Sequence, residues 1–203
     1  MTSAFTAARS ALLICDLQND FLDPQGAYGR AGQTSPEIAA VPARVKPFAD
    51  RLRLKGGFIV STHFTLVPGK GGEPLISPHL LALRPFLRKG DFAPGQWGHA
   101  LVDLLGPADF SVEKIAYSAF YMSRLEWVLR KAGIERLYVC GIVTNGGVAS
   151  TVRDAHIRDF DTVVLADGCA AFSATLHDTA IEALRPVCAV KSIAEALAEL
   201  DAA

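Results

Sequence analysis

Val139-Cys140-Gly141-Ile142-Val143-Thr144-Asn145-Gly146-Gly147-Val148-Ala149-Ser150-Thr151-Val152-Arg153-Asp154-Ala155 is the stretch on which the fold turns. It reads as a buried strand, a tight turn and a helix. A short apolar run bounded by glycine suits a strand covered on both faces. The segment from Asn145 to Arg158 then reads as a helix. A turn of this kind often aims a nucleophile from the helix N-terminus. Here it carries Gly146-Gly147, with no nucleophilic side chain. The free N–H groups of a helix start favour a carbonyl oxygen or an anion, and glycine lets a ligand approach the backbone closely. The same dipeptide also serves a simple tight turn, and the residues leave both readings open. Neither GxxxxGK[ST] nor GxGxxG is present, so this is not a phosphate-binding loop.

The pattern repeats on both sides. Ala11 to Cys15 is a continuous apolar run ending at Asp16. Ser35-Pro36-Glu37 opens an apolar-periodic helix to about Leu54, with serine as cap and proline at the first helical position. Phe58 to Thr62 and Phe110 to Lys114 read as strands. Ser123-Arg124-Leu125-Glu126 is a capping box opening a helix to about Ala132. Leu137 to Cys140, Thr162 to Ala166 and Val187 to Val190 read as strands. Ser173 to Leu184 is a helix, and Ser192-Ile193-Ala194-Glu195 caps a last one. Strands alternating with helices predict an α/β fold, a parallel sheet with helices on both faces in three layers.

Residues Val67 to Gly98 break this rhythm, with five prolines and six glycines. A long irregular stretch in a compact domain is either a surface insertion or a lid that forms a pocket. Short helices are expected at Leu80 to Leu87 and Trp97 to Leu105.

The 203 residues predict one domain, residues 1–203, with the lid segment at about 67–98. Half the residues are hydrophobic and the formal net charge is −1, which suits a globular protein and lacks the basic face of a nucleic-acid binder. No apolar run reaches membrane-span length, and no signal-peptide pattern opens the chain. Cys15, Cys140, Cys169 and Cys188 form no CxxC pair and suit a reducing compartment. The expectation is a cytoplasmic protein acting on a small molecule, with no nucleic-acid or membrane partner.

Sites in open parallel sheets lie at the carboxyl ends of strands. The polar residues there are Asp16, Thr62 with His63, Lys114, the turn after Gly141, and Asp167. Asp16 and Lys114 each follow an apolar run, so each is expected to be buried and to need a partner. Such a pair either organises loops or tunes an acid or a base. His63 has no second ligand at metal spacing, so no metal and no cofactor is expected. Cys169 follows a strand end and is a weak surrogate for the missing nucleophile.

At this point three motifs, in order, resemble one family. Leu13-Ile14-Cys15-Asp16-Leu17-Gln18-Asn19-Asp20-Phe21 resembles the first motif of the isochorismatase-like hydrolase superfamily. Glu113-Lys114 with Ser118-Ala119-Phe120 resembles the second. Gly141 to Val148, followed by Thr151 and Asp154-Ala155, resembles the third. The resemblance implies a six-stranded parallel, Rossmann-like sheet and a homo-oligomer, a dimer or tetramer. Many members are amidohydrolases with an Asp–Lys–Cys triad. Carried over, Asp16 is the acid/base, Lys114 the lysine, and Gly147 stands at the cysteine position. The Val143–Thr144 bond matches a non-proline cis peptide. Gln18, Phe21, His63, Tyr117, Phe120, Val143, Thr144 and Gly146 fall at substrate-contact places. Nicotinamidases carry a metal motif after the second strand; those places read Phe64 and Leu66. Isochorismatases lack the cysteine and cleave a vinyl ether by protonation and water attack, giving pyruvate. Their motif places an aromatic residue and a histidine where this chain has Val143 and Asn145, and Thr144-Asn145 looks more like the amidohydrolase branch. The implied function is a cysteine-independent, isochorismatase-like hydrolase of a small polar metabolite. The alternatives are an amidohydrolase on a small amide or ureide, and a non-catalytic binding protein on the same fold.

Overall fold

The computed structural model describes residues 6–202. Six parallel strands form one sheet: β1 Ser10–Cys15, β2 Phe58–Phe64, β3 Phe110–Lys114, β4 Arg136–Ile142, β5 Asp161–Ala170 and β6 Ala189–Lys191. Their order is β3-β2-β1-β4-β5-β6. The chain therefore winds outward from β1 in one direction and outward from β4 in the other. The crevice between the carboxyl ends of β1 and β4 is the topological switch point, where open α/β sheets bind ligands.

Every residue of β1 is buried. Leu12 and Ile14 face one core, Leu13 and Cys15 the other, as period-two alternation requires. Helices α1 Asn19–Leu22, α2 Ala27–Arg30 and α3 Pro36–Leu54 follow β1. Helix α4 is Pro78–Leu83, α5 Leu125–Lys131, α6 Ala149–Ile157, α7 Ala174–Glu182 and α8 Ile193–Ala202. Val41, Val45, Phe48 and Leu52 of α3 pack with Ile193 and Leu200 of α8 against one face of the sheet. Leu125 and Leu129 of α5, Val152 of α6 and Ile181 of α7 cover the other.

Local signals read from the sequence meet three fates. The last helix opens on a complete capping box: Glu195 N donates to Ser192 Oγ at 3.2 Å, and Ser192 N donates to the Glu195 carboxylate at 2.7 Å. The box expected at Ser123 does not close. Ser123 Oγ accepts from Leu125 N at 3.1 Å, but Glu126 turns away to Arg158 and Arg130. The helix expected at Trp97 to Leu105 is two single 3₁₀ turns, Trp97–His99 and Asp103–Leu105, and the lid helix is only Pro78–Leu83. Proline and glycine density prevents longer runs there.

The root of the lid is pinned by side chains from the β1 loop. The Asp20 carboxylate accepts from Phe92 N at 2.7 Å and from Ala27 N at 2.9 Å. Asn19 donates to Trp97 O at 2.9 Å, and Arg30 pairs with the buried Asp91 at 2.5 Å. Phe92, Leu66 and Leu87 form a small core there with Ala27 and Tyr28. The distal part differs: α4 buries none of its residues.

Candidate active site

Asp16 is the first residue beyond β1. Its φ is +58°, in the left-handed region that aspartate tolerates better than most residues. This turns its side chain out of the strand direction and over the switch point. Gly141 of β4 sits beside it, at φ +122°, and a Cβ there would lie 2.1 Å from Cys15 O. Only glycine lets β4 approach β1 this closely.

Lys114 ends β3, two strands away, and its ammonium reaches Asp16 Oδ2 at 2.7 Å. Both residues are almost fully buried, at 4% and 2% exposure. Thr62 Oγ1 also donates to Asp16 Oδ1 at 3.4 Å, and Lys114 donates to Ala116 O at 3.0 Å. Burial pushes the Asp16 carboxyl above its ordinary 3.8, against the pull of Lys114. Desolvation outweighs the ion pair and hydrogen bond from Lys114 and the weaker pulls beside them.

Asp16, Lys114 and Gly147 line a cavity of about 390 Å³. Its walls are aromatic, from Phe21, Tyr28, Phe64 and Phe172, and its cover is Leu80, Leu83 and Arg84 from the lid. Tyr117 and Val143 also line it. Gly147 lies in a π-helical turn, Thr144–Val148, which precedes α6. A Cβ on Gly147 would lie 3.2 Å from Asp16 Oδ2 and 3.3 Å from Ile142 O. A side chain at this position would therefore point at the Asp16 carboxylate.

The structure brings together Asp16, Lys114, Gly147, Phe21, Tyr117 and Val143. The other expected contacts fall elsewhere, each because its polar or apolar group is already used. Gln18 is fully buried; its amide donates to Phe64 O and His99 O and accepts from Phe64 N, so it is a strut between β1 and β2. His63 alternates with Phe64 along β2 and faces a second cleft with His99 and Ser111. Its ring bonds Ser61 Oγ and His99 O, each at 2.8 Å. Phe120 packs in the core on Phe160, with Arg158 over its ring. Thr144 is buried and bonds His177 Nδ1 at 2.8 Å. Gly146 sits beside the cavity wall, its Cβ position 3.3 Å from the Tyr117 ring, and its N–H donates to Val143 O at 3.0 Å. The cis peptide is Ile142–Val143, one bond earlier than expected. Asp167 lies within β5, which runs on to Ala170, and caps α8 through Ile193 N at 2.7 Å.

Among the described residues, no cysteine lines the cavity. Cys169 is 3% exposed, directs its sulfur at Val139 O, and has a thiol that burial pushes far up. Burial likewise pushes the Cys15 thiol to about 12. Neither is a nucleophile near neutral pH. Among the described residues, no cluster of three or more metal-ligating side chains occurs, and Phe64 and Leu66 offer a ring and a core packing group where a ligand would be needed. No helix among them is long and apolar enough to cross a membrane.

The lining residues missed from the sequence include Tyr28, Leu80, Arg84 and Phe172. Arg84 had a signal, as a lone cation in the apolar run Leu80 to Leu87. Tyr28 and Phe172 had none, because nothing local aims them at the switch point.

The sequence matches the Isochorismatase domain over residues 10–195. This chain belongs to the isochorismatase family. It is 32% identical to the ureidoacrylate amidohydrolase RutB of Methylorubrum extorquens over 175 residues, covering 81% of this chain and 71% of that relative. The RutB of Pantoea ananatis is 32% identical over 174 residues, covering 80% and 70%. A cysteine hydrolase structure from Pseudomonas syringae pv. phaseolicola superposes with a TM-score of 0.82 at 21% identity, covering 100% of this chain and 99% of that one. An N-carbamoylsarcosine amidase from Thermoplasma acidophilum gives 0.70 at 22% identity, covering 91% and 96%. The protein is an isochorismatase-family hydrolase on the six-stranded parallel fold of these structures.

One group near this hydrolase's second cleft carries a pH consequence. Burial lowers the His99 ring to about 4 from its ordinary 6.5. The fold therefore holds it neutral, and that contribution is complete above 6.5 and lost as the pH falls from 6.5 to 4. Over that window wild type is expected to lose about 2–3 kcal/mol that a His99→Gln variant keeps. Urea titrations at pH 7 and pH 4 check this; equal losses in both proteins would refute it.

Proposed function

We propose that this family member hydrolyses its substrate directly, by proton transfer from Asp16 and attack of water, without a covalent enzyme intermediate. One observation carries the reading. Burial raises the Asp16 carboxyl at the cavity floor above its ordinary range while Lys114 stays paired with it, an arrangement suited to giving and taking back a proton, and the residue that faces it is a glycine. At the position that the family resemblance assigns to the cysteine, Gly147 supplies no nucleophile.

The bond that suits this arrangement is a vinyl ether. Asp16 donates its proton to the terminal alkene carbon, and an oxocarbenium forms at the ether carbon. Water adds there and returns a proton to Asp16. The hemiketal collapses to a ketone and an alcohol, with one water consumed. Lys114 holds Asp16 and stabilises its carboxylate between the two proton transfers. The test is pyruvate release from isochorismate, coupled to lactate dehydrogenase, against an Asp16→Ala control. Turnover in wild type alone is expected; no difference from the control sinks this form.

A second reading is amide or ureide hydrolysis, favoured by the 32% identity to the two ureidoacrylate amidohydrolases. Without a thiol it runs through water activated by Asp16, at a cost of several orders of magnitude against a nucleophilic mechanism. Ammonia release from ureidoacrylate, with no pyruvate from isochorismate, would select it. We also place the enzyme in the cytoplasm as a homo-oligomer, which its four free cysteines and family resemblance suit.

A further inference from the structure

His63 faces away from the Asp16 cavity and ends a chain of hydroxyls at the second cleft. The register sets Ser61 of β2 directly against Ser111 of β3, the edge strand. Their Oγ atoms lie 3.1 Å apart, and Ser61 Oγ lies 2.8 Å from His63 Nε2. Opposed serines are ordinary in sheets. What distinguishes this pair is that its proton directions are fixed. The His99 carbonyl only accepts, so His63 Nδ1, 2.8 Å away, carries the ring hydrogen. In the neutral ring Nε2 is then a lone pair, and Ser61 donates to it. The Ser61 oxygen is left to accept from Ser111. Ser61 is fully buried and His63 nearly so, while Ser111 is exposed on the wall of an open cleft of about 670 Å³. Arg124, on the same wall, donates to the Ser111 carbonyl at 2.9 Å, which holds a guanidinium beside this residue.

We propose that Ser111 is the nucleophile of a second active site, one for small acyl esters, independent of Asp16 and of the reaction above. Ser111 Oγ bonds to the ester carbonyl carbon. Its proton passes to Ser61 Oγ as the Ser61 proton passes to His63 Nε2. Arg124 is the cation for the developing oxyanion. The tetrahedral adduct expels the alkoxide, which takes the proton back from His63 through Ser61 and leaves Ser111 acylated. Water then attacks the acyl carbon through the same relay, releases the acid and restores the serine. One ester and one water give one acid and one alcohol. The His99 carbonyl fixes the tautomer and orientation of His63, the task of the third group in a hydrolase triad. The cleft is open and shallow in apolar surface, so short acyl groups suit it.

The test is labelling with a biotinylated alkyl fluorophosphonate, in which a serine oxygen displaces fluoride from phosphorus, followed by peptide mass spectrometry. In wild type the adduct is expected on Ser111. Ser61→Ala keeps Ser111 and cuts the relay, and is expected to slow labelling by roughly 100-fold or more, the usual contribution of a positioned base. His63→Gln is expected to match it, with nitrophenyl acetate hydrolysis falling in parallel in both variants. Circular dichroism checks that each variant is folded; should His63→Gln fail to fold, the smaller change Ser61→Ala decides. No adduct on Ser111 in wild type overturns the proposal. So does an adduct that forms as fast in Ser61→Ala as in wild type. Relay-dependent labelling of Ser111 supports the second site whether or not the pyruvate and ammonia assays show turnover.

Discussion

Asp16→Asn is expected to lower kcat/KM by roughly 10²–10⁴-fold, the usual contribution of a positioned acid or base. Asparagine is the informative replacement. It keeps the size of the side chain and tolerates the left-handed φ of +58° that aims it over the crevice. It removes the proton that the mechanism needs. It also leaves the Lys114 ammonium buried without its counter-charge, so stability falls as well. Pairing the change with Lys114→Met separates the two effects. The double variant regains stability, because no lone charge remains, and stays inactive. An active double variant would show that Asp16 is a structural ion-pair partner and not the acid.

Lys114→Met alone is expected to destabilise the fold by about 3–5 kcal/mol at neutral pH, because it strands a buried carboxylate. The pH dependence identifies the cause. Without Lys114 the folded-state pKa of Asp16, already raised by burial, rises further. A carboxyl whose folded pKa is above its unfolded value stabilises at low pH, and that contribution is lost as the pH rises through the folded pKa. The deficit against wild type is therefore largest at neutral pH and shrinks on acidification. Chemical denaturation at pH 4.5 and pH 7.5 measures it. A deficit independent of pH would assign the loss to packing, including the contact of Lys114 with the Phe64 ring at 5.5 Å.

The residues that made the fold legible are those whose environment is dictated by local pattern. Ala11 to Cys15 is apolar throughout because β1 is central and buried on both faces. Pro36 starts α3, and Ser192 with Glu195 starts α8. Strand ends extended further than the patterns suggested, since β2 continues through His63 and Phe64, and β5 through Asp167 to Ala170. Polar residues inside a strand look like an end in sequence. Here their partners lie on other elements, such as His99 for His63 and Ile193 for Asp167.

The site divides the same way. Asp16, Lys114 and Gly147 were legible as strand-end candidates, and the family motifs singled them out from Thr62, His63 and Asp167, which read the same way by position. Gln18, His63, Phe120 and Thr144 could not be excluded in sequence, because the distant partners that occupy them come from 33 to 81 residues away. The walls and cover were equally hidden. Tyr28, Arg84 and Phe172 meet only when three separate connections fold over one crevice. What the sequence by itself determined is the alternating α/β architecture, from its periodicity, and the acid–lysine–glycine set, from strand ends together with the family motifs. What only the tertiary structure decided is which face of each strand looks into the cavity and which polar groups are already satisfied, since those depend on partners distant in the chain.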